Sequence, residues 1–274
     1  SDVCSSDLGG GPYTAVPSTD QWQFIQFGNY VVAVQVNVTP QYFNLASPSA
    51  FADLSGAPQG RYISIVGRFA VMSGLLTYPQ RIQWSGLGDV TGWTAGVNSS
   101  DYQDFPDGGV VRGVAGGETG VILQDLSIRR MVYAPGSPII FQIERVAEDT
   151  GLLAPYSLVR SADKIFFLSS KGFMGLTPSG YPEPIGKERV DRTHMADIDQ
   201  SNLQLVLGAS DPKSSRVFWA YKSVSGEAGL FDKLLCYDYA LSRFTPIVMQ
   251  GEYISTLSQP GITLEGLDAI SSSI

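Results

Sequence analysis

Residues 161–177, with the sequence SADKIFFLSSKGFMGLT, contain two short apolar runs on either side of a polar turn. The turn ends in Gly172, which can adopt a positive φ without a Cβ clash. Aromatic residues flank the turn, and such residues suit a pleated, half-buried surface. These features predict a β-hairpin. Residues 156–161 (YSLVRS) predict one more strand before it, joined by the short turn Ala162-Asp163.

The same hairpin recurs along the chain at irregular intervals of 39, 58, 46 and 55 residues. Four antiparallel strands about every 40 to 50 residues are typical of a β-propeller blade. We therefore predict an all-β, β-propeller-like fold with about five recognisable four-stranded blades, and a long β-sandwich is the alternative. The central turns lie near Gly28, Gly67, Asp125, Lys171 and Gly226. The strands entering them are WQFIQF, YISIV, GVILQ, KIFFL and RVFWAY, and a fourth strand usually follows, as in PQYFNL, QRIQWS, IIFQIERV and RFTPIV.

The domain organisation predicted from the sequence is simple. Residues 1–8 are interpreted as an adapter-derived artefact, because VCSSDL matches the translated end of a common sequencing adapter. Residues 9–274 are predicted to form a single β-propeller domain that is an incomplete fragment, truncated at both ends, with a sixth blade starting near Glu252. Residues 186–202 are the one predicted helical segment, with a solvated face of mixed charge.

Composition excludes several classes of partner. The 274 residues are 43% apolar and only 16% charged, which indicates a well-packed globular body. A net charge of −8 with 18 basic residues leaves no strong basic surface, so we expect no sequence-specific nucleic-acid binding. No run approaches the roughly 18 to 20 apolar residues that span a bilayer, and we expect no membrane partner.

Catalytic residue combinations are scarce. Catalysis needs a nucleophile beside a base, paired carboxylates in a cleft or metal ligands at workable spacing. The single histidine, His194, lies near Asp191, Asp197 and Asp199, an arrangement that could form a metal cluster, but neighbouring Lys and Arg residues would neutralise those carboxylates. We predict no catalytic, cofactor-binding or metal-binding residues, no cofactor and no enzymatic activity. Cys236 stands in an apolar strand and is interpreted as a core residue.

The most distinctive motif is YPQRIQWSGLGDVTGW at residues 78–93. A sialidase-type Asp-box would place an Asp two residues after Ser85, whereas Leu87 stands there and Asp89 follows later, so the match fails. Trp93 is expected to pack in a turn, and it could plug a hairpin between two blades.

The strand R-I-Q-W-S followed by G-D-x-T-x-W, together with VDRTHMADIDQS at residues 190–201, resembles propeller-like virion proteins of tailed bacteriophages. These are head-completion proteins, including the packaged-DNA stabilisation family, and tail nozzle or hub proteins. The family pattern has a large apolar or aromatic residue where His194 stands.

The resemblance implies a non-enzymatic virion structural protein at the head-to-tail junction or tail tube, which retains or conducts packaged DNA. It implies manufacture in the bacterial host cytoplasm, a ring homo-oligomer, and portal, adaptor and tail proteins as partners. Two alternatives remain open. A propeller glycosidase-like enzyme is disfavoured by the failed Asp-box and the missing arginine cluster, and a cellular protein-binding propeller scaffold by the absence of regular WD or kelch signatures.

Overall fold

The computed structural model describes residues 14–47 and 49–256, and these residues form five four-stranded antiparallel sheets. Each sheet uses four strands that are consecutive in the chain, so we call the sheets the first to fifth blades. The strands are β1 (Gln23–Phe27), β2 (Tyr30–Val34), β3 (Gln41–Asn44) and β4 (Ala52–Asp53); β5 (Gly60–Val66), β6 (Phe69–Leu75), β7 (Arg81–Trp84) and β8 (Asp101–Asp104); β9 (Val111–Ala115), β10 (Thr119–Gln124), β11 (Ser127–Tyr133) and β12 (Phe141–Glu148); β13 (Val159–Ser161), β14 (Lys164–Ser169), β15 (Gly172–Leu176) and β16 (Glu183–Pro184); β17 (Leu207–Ser210), β18 (Arg216–Tyr221), β19 (Phe231–Asp238) and β20 (Arg243–Gly251).

The blades are arranged as a β-propeller, which confirms the predicted fold class. The first strands of all five blades, β1, β5, β9, β13 and β17, contribute residues to one central cavity of about 250 Å³. Neighbouring blades pack face to face through apolar side chains. A hydrophobic cluster joins the first blade to the second, another the second to the third, and further clusters join the third to the fourth and the fourth to the fifth.

The junction between the fifth and first blades is built differently. The fifth cluster consists of residues of the fifth blade with Tyr156 and Ile254 packed against it. None of the five clusters in the described part of the chain contains residues of both the fifth and the first blade. Instead, the Gln204 side chain donates a hydrogen bond of 3.1 Å to the Ser18 carbonyl. Apolar clusters therefore pack four junctions, whereas this hydrogen bond joins the segments that precede the fifth and the first blade.

All five predicted central turns are present, but the strands around them occupy different places in the blades. In the first two blades the predicted entering strands, WQFIQF and YISIV, are the innermost strands β1 and β5. In the other three blades the entering strands are β10, β14 and β18, each second in its sheet. The central turn thus follows the first strand in the first two blades and the second strand in the other three. This difference lengthens the interval between the second and third turns and explains part of the irregular spacing.

Three local predictions were wrong. The sequence of residues 101–117 (DYQDFPDGGVVRGVAGG) predicts a loop followed by a strand, but Asp101–Asp104 is the strand β8, which pairs with β7 through its backbone although three of its four side chains are exposed. The strand predicted at residues 156–161 begins only at Val159, because a 3₁₀ turn that includes Pro155 precedes it. The sequence also predicts a short strand at residues 13–16 (YTAV), but residues 14–16 form no strand. The interpretation of residues 1–8 lies outside the described residues, as does most of the predicted sixth blade; residues 252–256, where that blade was predicted to start, form no strand.

The helical segment is shorter than predicted. It consists of the helix α1 (Asp191–Asp197) and the 3₁₀ helix Gln200–Leu205. Residues 186–190 form a turn in which Glu188 has a φ of 60°, so the chain cannot continue as a helix there. In the described ranges no helix is long and apolar enough to cross a membrane.

Candidate functional site

His194 is buried in the junction between the fourth and fifth blades. Its imidazole is 2% exposed and lies edge-on to Phe173 and Tyr221, with ring centroids 4.8 and 4.4 Å away. Neither ring nitrogen has a hydrogen-bond partner among the described residues. Burial lowers the pKa of His194 to about 4, against the opposing charge of Asp197. The side chain is therefore a neutral ring that fills an aromatic slot at neutral pH.

Asp191, at the start of α1, fixes the helix to the fourth blade. Its Oδ1 accepts a hydrogen bond of 3.0 Å from the backbone N–H of Phe173. A Cβ at either Gly172 or Gly186 would collide with this carboxylate, so two glycines make room for it. Burial raises the pKa of Asp191, and the hydrogen bond from Phe173 opposes that rise. The Asp191 carboxylate thus holds the tight turn before β15.

Asp197 binds the fifth blade at the other end of α1. It accepts hydrogen bonds from the Tyr221 hydroxyl at 3.0 Å and from the Lys233 ammonium at 2.7 Å. Both partners come from strands of the fifth blade and not from the charged residues around the helix. The prediction that neighbouring Lys and Arg residues neutralise this carboxylate is therefore wrong, because its partners lie 24 and 36 residues away.

Asp199 completes the attachment. It accepts hydrogen bonds from Lys222 and Asn202, each at 2.8 Å, and from the backbone N–H of Ser201. These three donors, with Lys222 first, lower the pKa of Asp199 to about 2. The segment 190–201 is thus a clamp between two blades.

The clamp residues do not converge on one point. Asp191 faces the fourth blade, whereas Asp197 and Asp199 are occupied by separate lysines of the fifth blade. In residues 14–47 and 49–256 no three His, Cys, Asp or Glu side chains lie together in a way that could hold a metal ion. The arrangement is suited to fastening blades and offers no position where a reacting atom would meet a base.

Arg81, from the R-I-Q-W-S motif, is stacked between two tyrosines. Its guanidinium carbon lies 4.0 Å from the Tyr78 ring centroid and 3.7 Å from that of Tyr102. It also donates two hydrogen bonds, of 2.6 and 2.8 Å, to the two oxygens of Asp104. This hydrogen-bonded pairing raises the pKa of Arg81 and lowers that of Asp104. The stack fixes the outermost strand β8 to β7.

The two tryptophans of the same motif pack at two different junctions. Trp84 contacts Phe141 of the third blade edge-on at 5.0 Å and donates to the Ser99 carbonyl at 2.8 Å. Trp93 is 3% exposed and belongs to the cluster that joins the first and second blades, and its Nε1 donates to the Val90 carbonyl at 2.7 Å. This position agrees with the expectation that Trp93 plugs the space between blades.

Several of the polar groups that line the central cavity have partners within the protein. Tyr62 and Tyr156 meet edge-on at 5.8 Å, and the Tyr156 hydroxyl accepts a hydrogen bond from the backbone N–H of Gln21. Burial raises the pKa of Tyr62 to about 12 and raises that of Tyr156 further. Arg112 is ion-paired with Asp125 at 2.6 Å. These contacts close the axis of the propeller with side chains from several blades.

A second depression, of about 450 Å³, lies between the fourth and fifth blades on the side of β16 and β19. Its cationic side chains are Lys164, Lys187 and Arg189. Sequence reasoning did not single out these residues, because they are spread over two segments whose neighbours alternate in charge. Only the folded chain places them around one cleft.

Comparison with known proteins leaves the family open. No family model and no curated protein matches the chain. The fold is similar to the solved structure of the dihydro-heme d1 dehydrogenase NirN in complex with DHE, with 15% identity over 84% of this chain and 47% of that chain and a TM-score of 0.47. It is also similar to the β-propeller domain of Myceliophteria thermophila Cps50 (Swd1), with 9% identity over 70% of this chain and 64% of that chain and a TM-score of 0.46. The chain thus spans about half of the first protein and under two thirds of the second.

Proposed function

We propose that the protein is a non-enzymatic structural protein of a bacteriophage virion, located at the head-to-tail junction or tail tube. In this role it assembles with further copies of itself and with portal, adaptor or tail proteins to retain or conduct packaged DNA. The resemblance of the two motifs to phage virion proteins supports this function. The roles of the motif residues are compatible with it, because both motifs fasten blades together and leave no group poised for chemistry.

The observation that carries the proposal is the outermost strand of the fifth blade. β20 is nine residues long and is the edge of its sheet. Its sequence has no charged residue after Arg243, and the side chains of Ile247, Val248 and Met249 are 37%, 87% and 54% exposed. Long apolar edge strands are templates for pairing with another chain, and proteins usually protect them with charges. Pro246 removes one backbone donor and leaves the residues after it available.

We assign a second copy of this chain as the occupant of the β20 edge. A head-to-tail contact, in which this edge meets a different surface of the next copy, closes into a ring when the rotation permits. In such a ring, packaged DNA would pass through the opening between the copies and not through the propeller of a single copy. The central cavity of about 250 Å³ lies below the roughly 300 to 1,000 Å³ typical of small-molecule sites, so no duplex passes along the propeller axis.

The assembly is tested with purified protein by multi-angle light scattering over a range of concentrations. The wild-type chain is expected to form a closed oligomer of three or more copies, and Val248→Lys to remain a monomer, because the introduced charge faces the edge contact. Val97→Lys is the matched control, since Val97 is 59% exposed in the loop between β7 and β8 of the second blade. A monomeric wild type, or equal oligomers for both variants, contradicts the assignment of β20.

The virion role is tested by deleting the gene in its phage and imaging the particles. Leaking heads or missing tails are expected. DNA-filled, infectious particles would refute the structural role, and glycan turnover by the purified protein would support the glycosidase alternative instead.

A further inference from the structure

The cleft between the fourth and fifth blades has a buried aromatic wall and an open, charged rim. Phe166 and Tyr237, 2% and 4% exposed, form the wall, and Tyr181 at the rim is 73% exposed. The volume of about 450 Å³ falls within the range of small-ligand sites, roughly 300 to 1,000 Å³. The cleft is thus large enough for one or two sugar-sized rings.

The charge of the cleft is opposite to that of the whole protein. Lys164, Lys187 and Arg189 line it, and Glu183 is the one carboxylate among its described lining residues. None of the ten ion pairs in the described residues includes any of these three cations. The protein has a net charge of −8, so a local group of cations without carboxylate partners in the described part of the chain is a distinct positive region that attracts anionic ligands.

Hydroxyl groups complete the lining. The Tyr237 side chain is almost fully buried, but its hydroxyl is not among the buried atoms that lack a partner, and the residue lines the open cleft. The Tyr239 hydroxyl forms a hydrogen bond of 3.2 Å with Ser161 Oγ. A tyrosine hydroxyl at the surface of a cleft can donate and accept hydrogen bonds, so it can pair with the hydroxyl groups of a ligand.

The aromatic faces favour a sugar over a nucleobase. The Tyr239 ring already stacks on Phe166, with centroids 5.4 Å apart, and the Lys164 ammonium lies 5.2 Å from its centre. Tyr181 therefore remains as the exposed aromatic ring of the cleft. A single ring can stack on one face of a ligand, but it cannot enclose a nucleobase between two aromatic side chains. We propose that this cleft binds an acidic sugar unit, whose carboxylate meets the lysines and arginine and whose hydroxyls meet the tyrosines. This site is independent of the proposed role in the virion.

The binding experiment is isothermal titration calorimetry of the full chain with two ligands that differ in one group. Methyl β-glucuronide and methyl β-glucoside have the same ring, and the glucuronide adds the carboxylate. The glucuronide is expected to bind about tenfold more tightly, since hydrogen bonds to a charged group are roughly twice as strong as neutral ones. Equal affinities, or no binding of either, overturn the proposal. Tighter binding of adenosine monophosphate than of the glucuronide also overturns it, in favour of a nucleotide.

Three variants separate the contributions of charge and hydroxyl. Lys187→Gln is expected to lower glucuronide affinity about tenfold and to leave the glucoside unchanged, because only the carboxylate contact is lost. Tyr237→Phe keeps the buried ring and is expected to weaken both ligands alike by a few-fold. Lys213→Gln is the control, since Lys213 lies in the turn before β18, away from the cleft. A loss with Lys213→Gln equal to that with Lys187→Gln contradicts the site.

Discussion

Two blade junctions are filled by an aromatic ring that comes from a connecting segment and not from a sheet. Trp93 fills the junction between the first and second blades, and His194 fills the one between the fourth and fifth. Both rings are nearly inaccessible, at 3% and 2% exposure. They differ in their polar atoms, because the Trp93 N–H is hydrogen-bonded within its own turn, whereas both His194 nitrogens lack partners among the described residues.

The difference shows that the space between two blades can be filled by a ring whose packing is independent of pH or by one whose packing depends on pH. The packing of Trp93 does not depend on pH, because the ring is apolar and its single N–H is hydrogen-bonded to a backbone carbonyl. The His194 junction depends on the imidazole staying neutral, because a charged ring would be buried without a counter-ion in direct contact. The following changes test this contrast.

The largest effect is expected for Trp93→Ala. Removing a fully buried aromatic ring leaves a cavity between two blades, and such changes typically cost about 3 to 5 kcal/mol of unfolding free energy. The measurement is urea denaturation monitored by far-UV circular dichroism, which does not rely on tryptophan fluorescence. Tyr181→Ala, at an exposed aromatic residue, is the control and should change the unfolding free energy by less than about 0.5 kcal/mol. A similar, small change for both variants would show that the Trp93 turn packs loosely.

The pH dependence of stability is expected to differ between the wild type and His194→Phe. The pKa of His194 lies at about 4 in the folded state, against an ordinary value of 6.5, so the unfolded chain binds more protons between these values. The contribution of a neutral His194 is therefore complete above pH 6.5 and is lost as the pH falls towards 4, by up to about 3 kcal/mol.

His194→Phe removes this loss, and its stability curve should be flatter over that window. The carboxylates are the same in both proteins, so the difference between the two curves isolates the imidazole. At pH 8 the variant should be at least as stable as the wild type, because Phe fills the slot with no unpaired nitrogen. Parallel curves in thermal or urea denaturation from pH 4 to 8 would exclude the histidine as the source.

A smaller effect is expected for Asp191→Ala. The Phe173 N–H would lose its acceptor, which costs about 1 to 3 kcal/mol for a buried donor. Asp89 of the second-blade motif is the matched comparison, because its Oδ1 likewise accepts from a backbone N–H, that of Thr91, but in an exposed turn. Asp89→Ala should therefore cost clearly less in the same denaturation assay. Equal costs would mean that the clamp contributes no more than an ordinary turn.

Local features of the sequence predicted most of the fold. The turns at Gly28 and Gly67 are formed by residues next to each other, and both glycines adopt a positive φ, of 57° and 55°. The position of a hairpin within its blade could not be predicted, because innermost and second strands are both apolar. β8 was missed because an outermost strand pairs through its backbone and needs no apolar side chains.

The site was less predictable for the same physical reason. The segment around His194 was recognised as distinctive, but the lysines that bind Asp197 and Asp199 follow 36 and 23 residues later, Lys233 in β19 and Lys222 directly after β18. The sequence could not show that the His194 imidazole is buried without a hydrogen-bond partner among the described residues. The aromatic slot around it forms only when Phe173 and Tyr221 pack against the ring.

The sheets are each built from consecutive strands, and this has a consequence for how the chain reaches its folded state. No strand in the described residues waits for a partner from a distant part of the polypeptide, so every sheet can form once its own stretch has left the ribosome. Pairing between sequence neighbours involves short loop closures, which favour rapid folding. The α1 clamp, with Asp191 as its first residue and Asp197 as its last, would then be locked last, when the fifth sheet supplies Tyr221 and Lys233.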